Sequence, residues 1–354
     1  MATVTTRPIE PVAAEDRAAM DGWFAFLQRC HAHDTPELPP PCPVSHAHWF
    51  ARPGFAQQAW TVRDGAEVVA AASLSLPVHD NLHHGFAGVL VGPPHRRRGL
   101  GSRLLRHVAA HARDAGRTHL ALGTGARPGA ADPGHDFLRA AGARLAMVEK
   151  RRRLVLPAEP ARVRDLAEEA RRASPGYRLV QWAGPTPARW LDDLAPLVAR
   201  MSTDAPIGEF SIGPQRWDAD RLRERDTAAV AAGVRSVVTA AQAPDGHLAA
   251  FTEASTCVVR DGFASQGDTL VAPAHRGRQL GLRIKLANLE LLVREHPEVR
   301  AIDTFNADDN RWMIAVNEAM GFVPIRRGED WELDLAPSFV DSSPQRPVPL
   351  DDRR

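Results

Sequence analysis

Two short segments carry the residues best suited to chemistry. VLVGPPHRRRGLG runs from Val89 to Gly101, and TLVAPAHRGRQLG runs from Thr269 to Gly281. In each, a β-branched strand passes through a proline into His-Arg, then an arginine- and glycine-rich turn, then a leucine-rich amphipathic helix. Such a turn presents free backbone N–H groups at the positive end of a helix, the arrangement that binds phosphate oxygens. Glycines let the backbone approach a ligand closely, and arginines add forked donors. The candidate anion ligands are Arg96, Arg97, Arg98, Gly99, Leu100, Gly101 and Ser102 in the first copy. In the second they are Arg276, Gly277, Arg278, Gln279, Leu280 and Gly281, with Gln279 where the first copy has glycine. Proton transfer is the other chemistry on offer. Asp268 precedes the second turn and Glu253 ends the strand before it, so two acids on adjacent strands meet the need of a general base. The matching strand of the first copy, Phe86-Ala87-Gly88-Val89, holds no titratable group.

These residues need a strand ahead of them and a helix behind. The anchor arginines, Arg96 and Arg276, lie 180 residues apart, about half of the 354-residue chain. That interval is too long for a solenoid and fits two copies of one α/β domain. The predicted units are 1–156, a linker with a short helix at 157–176, a second unit at 177–336, and a mobile tail at 337–354. In the first unit a short strand near Pro8–Val12 precedes a helix Ala14–His31. Strands Ala59–Arg63, Glu67–Leu76 and Phe86–Val91 come next, followed by helix Leu100–Ala115 and strand His119–Gly123. Helix Asp136–Ala141 and strand Arg144–Leu156 close the unit. The second unit reads as strand Tyr177–Gln181, helices Pro187–Met201 and Arg216–Ala231, and strands Arg235–Ala241, His247–Ser255 and Gln266–Val271. Helix Leu280–Glu295, strand Arg300–Phe305, helix Asn310–Ala319 and strand Trp331–Leu335 complete it.

Composition excludes several partners. Lysine and arginine number 44 against 43 acids, a net charge of +1, so no global field holds nucleic acid or an anionic membrane. The longest apolar stretch, Val68 to Val78, is broken by serines and falls short of the ~20 residues of a membrane span. The N-terminal residues lack an apolar core of signal-peptide length. Three cysteines, Cys30, Cys42 and Cys257, make no disulfide framework, and an odd count fits a reducing cytoplasm. Cys30, His31, His33, Cys42, His46 and His48 could ligate zinc, but their spacing matches no zinc module, and the proline-rich middle favours a loop shaping a substrate groove. No metal site is expected. His79, Asp80, His83 and His84 read as a solvated hairpin tip, and the Leu280–Leu292 spacing as a packed helix face.

The two segments resemble the pyrophosphate loop of the GNAT superfamily of acyl-coenzyme A-dependent N-acyltransferases, Arg/Gln-x-x-Gly-x-Gly/Ala after a Val-x-Pro strand. Asn310, Met313, Val316, Asn317, Gly321 and Phe322 match the family's downstream Asn-x-x-Ala-x-x-Phe-Tyr-x-x-x-Gly-Phe spacing; the first half keeps Phe137, Leu138 and Gly142. As a tandem pair the chain is similar in plan to the two-domain mycothiol synthase type. The resemblance implies two mixed sheets, each partly splayed and flanked by helices. It implies acetyl-coenzyme A or another acyl-coenzyme A as donor, and a small-molecule amine as acceptor. It extends the cofactor-binding set to Leu90, Val91, Leu270, Val271, Asn306 and Asn310, with helix capping the plain alternative for Asn310. Asp268 and Glu253 become candidate catalytic bases, so catalysis is expected in the second half. Asn317 stands where the family's acidic tyrosine belongs, and joins the candidate catalytic set with a buried hydrogen-bonding role as its alternative. Tyr177 is the sole tyrosine and lies elsewhere. Two other readings are an acyl carrier protein as donor and a non-catalytic acyl-coenzyme A sensor. A monomer or homodimer is expected, with no nucleic acid or membrane partner.

Overall fold

The computed structural model describes residues 7–259 and 262–335; the tail predicted at 337–354 lies outside them. The elements are β1 Glu10–Pro11, α1 Arg17–Asp34, α2 Pro43–Ala47, β2 Phe55–Asp64, β3 Glu67–Pro77, β4 His84–Val91, α3 Leu100–Asp114, β5 His119–Ala126, α4 Pro133–Ala140 and β6 Arg144–Val155. The chain continues through α5 Pro160–Ala173, β7 Arg178–Ala183, α6 Leu191–Asp204, α7 Ala219–Ala231, β8 Val234–Gln242, β9 Leu248–Cys257 and β10 Phe263–Val271. It ends with α8 Leu280–Glu295, β11 Ala301–Ala307, α9 Arg311–Met320 and β12 Val323–Asp334.

Each predicted helix and strand has a counterpart, and α5 is the helix expected between the halves. α2 was not foreseen. β12 begins well before Trp331 because Val323 to Gly328, a stretch rich in turn-formers, pairs with β6 across a register shift at Pro324/Arg326.

The twelve strands form one sheet in the order β1-β2-β3-β4-β5-β12-β6-β11-β10-β9-β8-β7. The parallel pair β4 and β5 is bonded over His84–Phe86 and His119–Ala121. Its counterpart, β10 and β11, is bonded over Phe263–Ser265 and Ala301–Asp303. Beyond those residues each pair parts. The two central strands cross over: β12, from the second half of the sequence, pairs with β5, while β6, from the first, pairs with β11. β6 and β12 also pair with each other, antiparallel. Each half therefore borrows a strand from the other.

Alternation along the strands buries both faces of the sheet. In the first half Ala70, Ala72 and Leu74 of β3 pack with Leu104, Leu105 and Val108 of α3. On the opposite face Val68 and Ala71 meet Trp23 and Phe26 of α1. The second half repeats this, with Val238, Ala240 and Phe251 against α6, and Val237 and Ala254 against α8.

Charged groups fasten the crossover. Asp303 of β11, 1% exposed, accepts from Arg153 Nε at 2.6 Å, Arg153 Nη2 at 2.8 Å and Arg151 Nε at 2.8 Å. Forked guanidinium contacts of this kind make up for the desolvation of a buried carboxylate. The hairpin tip read as solvated is a correction. His84 is fully buried and bonds Glu332 of β12 at 2.9 Å, and Asp80 pairs with Arg221 of α7 at 2.6 Å. The tip docks on the other half, so His84 and Asp80 face protein, while His79 and His83 stay exposed.

The cysteine expectation is also corrected. Cys42 and Cys257 form a disulfide that ties the start of α2 to the end of β9, across 215 residues. An odd total does not prevent one distant pair. Cys30 is a free, buried thiol, pushed up to about 11 chiefly by burial. The histidines of this segment are separately engaged: His46 bonds the Met20 carbonyl, and His31 bonds Thr35. Ser45 donates to the Ala232 carbonyl, so the segment is seated on the second half. Among the described residues no three His, Cys, Asp or Glu side chains are grouped to hold a metal, and no helix is long and apolar enough to cross a membrane.

Candidate active site

Both arginine–glycine turns have the same backbone. Left-handed φ values occur at Arg97 (60°) and Gly99 (82°) in one loop, and at Gly277 (78°) and Gln279 (52°) in the other. Each loop thus needs two left-handed residues and supplies glycine at only one, in opposite places. Gln279 keeps the fold of the turn and is anchored to Glu169 of α5 at 2.8 Å. A left-handed non-glycine residue costs about 1 kcal/mol. Gln279→Gly is therefore expected to raise stability by up to about 1 kcal/mol, read from urea denaturation, with the loop unchanged.

α3 and α8 begin without a side-chain cap, so their first amides are open toward the turn. The anchor arginines have a role other than the free phosphate forks expected. Arg96 donates to the Val91 carbonyl and grips Asp34 through both terminal nitrogens. Arg276 likewise donates to the Val271 carbonyl and pairs with Asp204 at 2.7 Å. Both brace strand, loop and preceding helix, while Arg97 is exposed on the first loop. Arg278 is exposed and also donates to the Ala274 carbonyl. Ser102 is exposed on the first turn of α3. Tyr177 bonds His275 at 2.8 Å and supports the second loop from outside.

Beyond the loops the halves diverge. In the second, the parted strands enclose a cavity of about 850 Å³. Its walls include Asp268, Leu270, Val271, Gly281, Asn306 and Asn310, together with Val316 of α9. β10 breaks register with β9 between Gln266 and Thr269. This bulge turns the Gly267–Asp268 backbone out of the ladder beside the cavity. Gly267 lies against Glu253: a Cβ there would come within 2.9 Å of the Glu253 side chain. In the first half β3 and β4 pair without a shift. There Phe137 lies over Gly101, 3.4 Å from the place of a Cβ, whereas Gly281 meets only Val271 at 3.7 Å. Leu90 and Val91 are packed in the apolar layers of that half.

Glu253 is half-buried, with Arg225 of α7 3.9 Å from its carboxylate. Burial pushes its carboxyl up to about 7; Arg225 opposes the rise, while Asp268 and Asp226 add to it. Burial also raises Asp268, again against Arg225. Asn317 is fully buried and donates to Asn306 at 2.6 Å, which fits its hydrogen-bonding reading. Asn310 caps α9, accepting from the Met313 N–H at 3.2 Å, while also lining the cavity.

Three titratable residues in the walls escaped sequence reasoning: Asp204 of α6, which pairs with Arg276, and two more. Glu149 comes from β6, the borrowed strand, and burial with nearby Asp330 pushes its carboxyl up to about 7. No local pattern marks it, because the crossover alone brings it here. Lys285 of α8 is 1% exposed, and burial lowers its ammonium to about 7. A signal existed for Lys285: the same helix position in the first copy is Leu105.

A parted parallel strand pair, a bulge beside the opening and an uncapped helix after an arginine-braced turn define an acyl-coenzyme A-dependent acyltransferase. The chain belongs to the GNAT superfamily, in its tandem form. Residues 20–131 match the model of the acetyltransferase (GNAT) family. A tandem GNAT protein from the clavulanic acid biosynthesis pathway is 33% identical over 93% of this chain and 99% of its own, with a TM-score of 0.78. A GCN5-related N-acetyltransferase from Sphaerobacter thermophilus shares the fold at 16% identity, covering 93% of this chain and 95% of its own, with a TM-score of 0.65. N-myristoyltransferase of Saccharomyces cerevisiae, solved with myristoyl-CoA, does so at 11%, covering 94% and 81%, with a TM-score of 0.61. No curated protein sequence matches the chain. The protein is an N-acyltransferase, and its family uses acyl-coenzyme A donors with small-molecule or protein acceptors.

Proposed function

We propose that the protein transfers an acetyl or similar acyl group from acyl-coenzyme A to the amine of a small molecule, and that it does so in the second half. The observation that carries this reading is the pairing of the Gly267–Asp268 bulge with the cavity, beside a half-buried carboxyl poised near neutrality. The residues present fit a coenzyme A thioester. The open amides of α8 and the loop Arg276–Gly281 suit a pyrophosphate, and the groove between β10 and β11 suits an extended arm. When bound, the coenzyme supplies the acyl group as a thioester. Glu253 accepts the proton of the attacking amine, and Arg225 keeps part of its population ionised. In this reading a backbone N–H beside the bulge polarises the thioester carbonyl. Asp268 stands between cavity and base and holds negative charge near the incoming amine. The first half serves as scaffold, its cleft narrowed by Phe137 over Gly101.

Val316 occupies in α9 the place of Phe137 in α4, five residues before the helix-ending glycine. Val316→Phe is therefore expected to close the second cavity in imitation of the first half. Calorimetry should show acetyl-coenzyme A binding weakened about tenfold or more, the scale of an overpacked site. Thiol release with a panel of small amines should fall in parallel. Unchanged binding and turnover in Val316→Phe would move the site out of this cavity.

A further inference from the structure

The family's tyrosine, which would protonate the departing sulfur, is missing here; Asn317 holds its place and is bonded to Asn306. The leaving group still needs a partner. We propose that Lys285 is that partner: its ammonium faces the departing sulfur inside the second cavity and gives it a proton. This rests on the reading of the cavity as the acyl-coenzyme A site.

The repeat supplies an internal control. α3 and α8 align without a gap from Leu100 and Leu280, and packing fills the matching position of α3 with Leu105, 1% exposed. A lysine at that place in α8 carries a desolvation cost that leucine does not. It occurs in the half that keeps the cavity, and it lines that cavity. Its Nζ lies 5.5 Å from the centre of the Phe322 ring. Phe322 in turn donates its backbone N–H to the Asn317 carbonyl. Lys285 thus approaches, from α8, the corner where the tyrosine would have stood on α9.

The surrounding charges leave Lys285 free for this task. On the elements packed around α8, Glu168 and Glu169 of α5 are taken by Arg171 and Gln279, and Glu253 of β9 faces Arg225. Arg235 of β8 faces Glu298, Arg178 of β7 holds Gln242, and the Glu318 carbonyl of α9 accepts from Arg162. Within the cavity Asp268 and Glu149 share the space, while Asp204 and Arg276 pair with each other.

The proton balance closes. The amine nitrogen bonds the acyl carbon and its proton passes to Glu253. The C–S bond breaks with its electron pair on sulfur, which takes a proton from Lys285. Lys285 then recovers a proton from solvent while Glu253 releases one to it, so both groups return to their starting states. No further reactant is required.

The chain has only two lysines, and Lys150 is surface-paired with Asp308, so isotopic labelling of lysine gives two resolvable side-chain signals. The full-length protein is titrated with coenzyme A and, separately, with desulfo-coenzyme A. Both are expected to bind. Only the thiol form should raise the Lys285 midpoint, by about one pH unit, the effect of an anion within reach of an ammonium. Lys150 should be indifferent to either. Binding of both ligands with one and the same Lys285 titration would overturn the assignment. Binding that persists in Val316→Phe, or fails in the parent protein, would instead overturn the reading of the cavity and the assignment with it.

Discussion

Glu253→Gln is expected to lower kcat/KM for amine acylation by about 10²- to 10⁴-fold, the range for loss of a positioned general base. Glutamine keeps the volume that rests on Gly267, so the bulge should persist. Because Glu253 stands outside the cavity walls, affinity for acetyl-coenzyme A should change little. The pH profile gives a second readout. A base whose carboxyl titrates at about 7 makes the rate climb as pH rises through that value, and Glu253→Gln should abolish that limb. Arg225 opposes the upward shift, so Arg225→Gln removes the opposition and should move the limb to higher pH. A full-height limb in Glu253→Gln would pass the role to Asp268 or Glu149.

Lys285→Met should make the protein more stable and less active at once. The Lys285 ammonium is lowered from 10.5 to about 7 by burial. Above pH ~11 the lysine is mostly neutral both folded and unfolded, and it imposes almost no penalty. As pH falls from there toward 7 the unfolded chain binds the proton while the folded chain resists it, so the penalty grows. Below about 7 both states are charged and the penalty is constant, roughly 5 kcal/mol. Methionine, apolar and similar in length, removes it. Denaturation at pH 6 should therefore favour the variant by a few kcal/mol, and near pH ~11 the advantage should nearly vanish. A variant equally stable to the parent at both pH values would show that Lys285 is solvated. Loss of turnover alongside a gain in stability is the signature of a residue kept for chemistry.

Much of this was legible in the sequence. The duplicated turns located both loops, and alternation and capping placed the elements. Asp268 and Glu253 stand out in the sequence because they lie on the strands leading into the second turn. Asn310, expected as a cofactor contact with capping as its alternative, does cap α9, because Asn before a helix is a local signal. What escaped depends on contacts between distant residues. Glu149 enters the cavity on a strand from the other half, and His84 is buried because its partner Glu332 lies 248 residues away. The Cys42–Cys257 bond is of the same kind. Residues 20–131 match the family model although the bulge and cavity belong to the other copy. The loop motif records the turn, and the opening depends on residues well downstream of it, such as Phe137 against Val316.

The borrowed strands also set the order in which this protein can come into being. On a ribosome the strands β1 to β5 emerge early, but the neighbour of β5 is β12, made after every other described strand. Until then the edge of β5 is open, and so is the free edge of β6. Closing so long a loop of chain is slow, and exposed strand edges invite association with other chains. Neither half can mature ahead of its twin, so a nascent chain stalled before Val323 should be handed to chaperones with both halves unfinished.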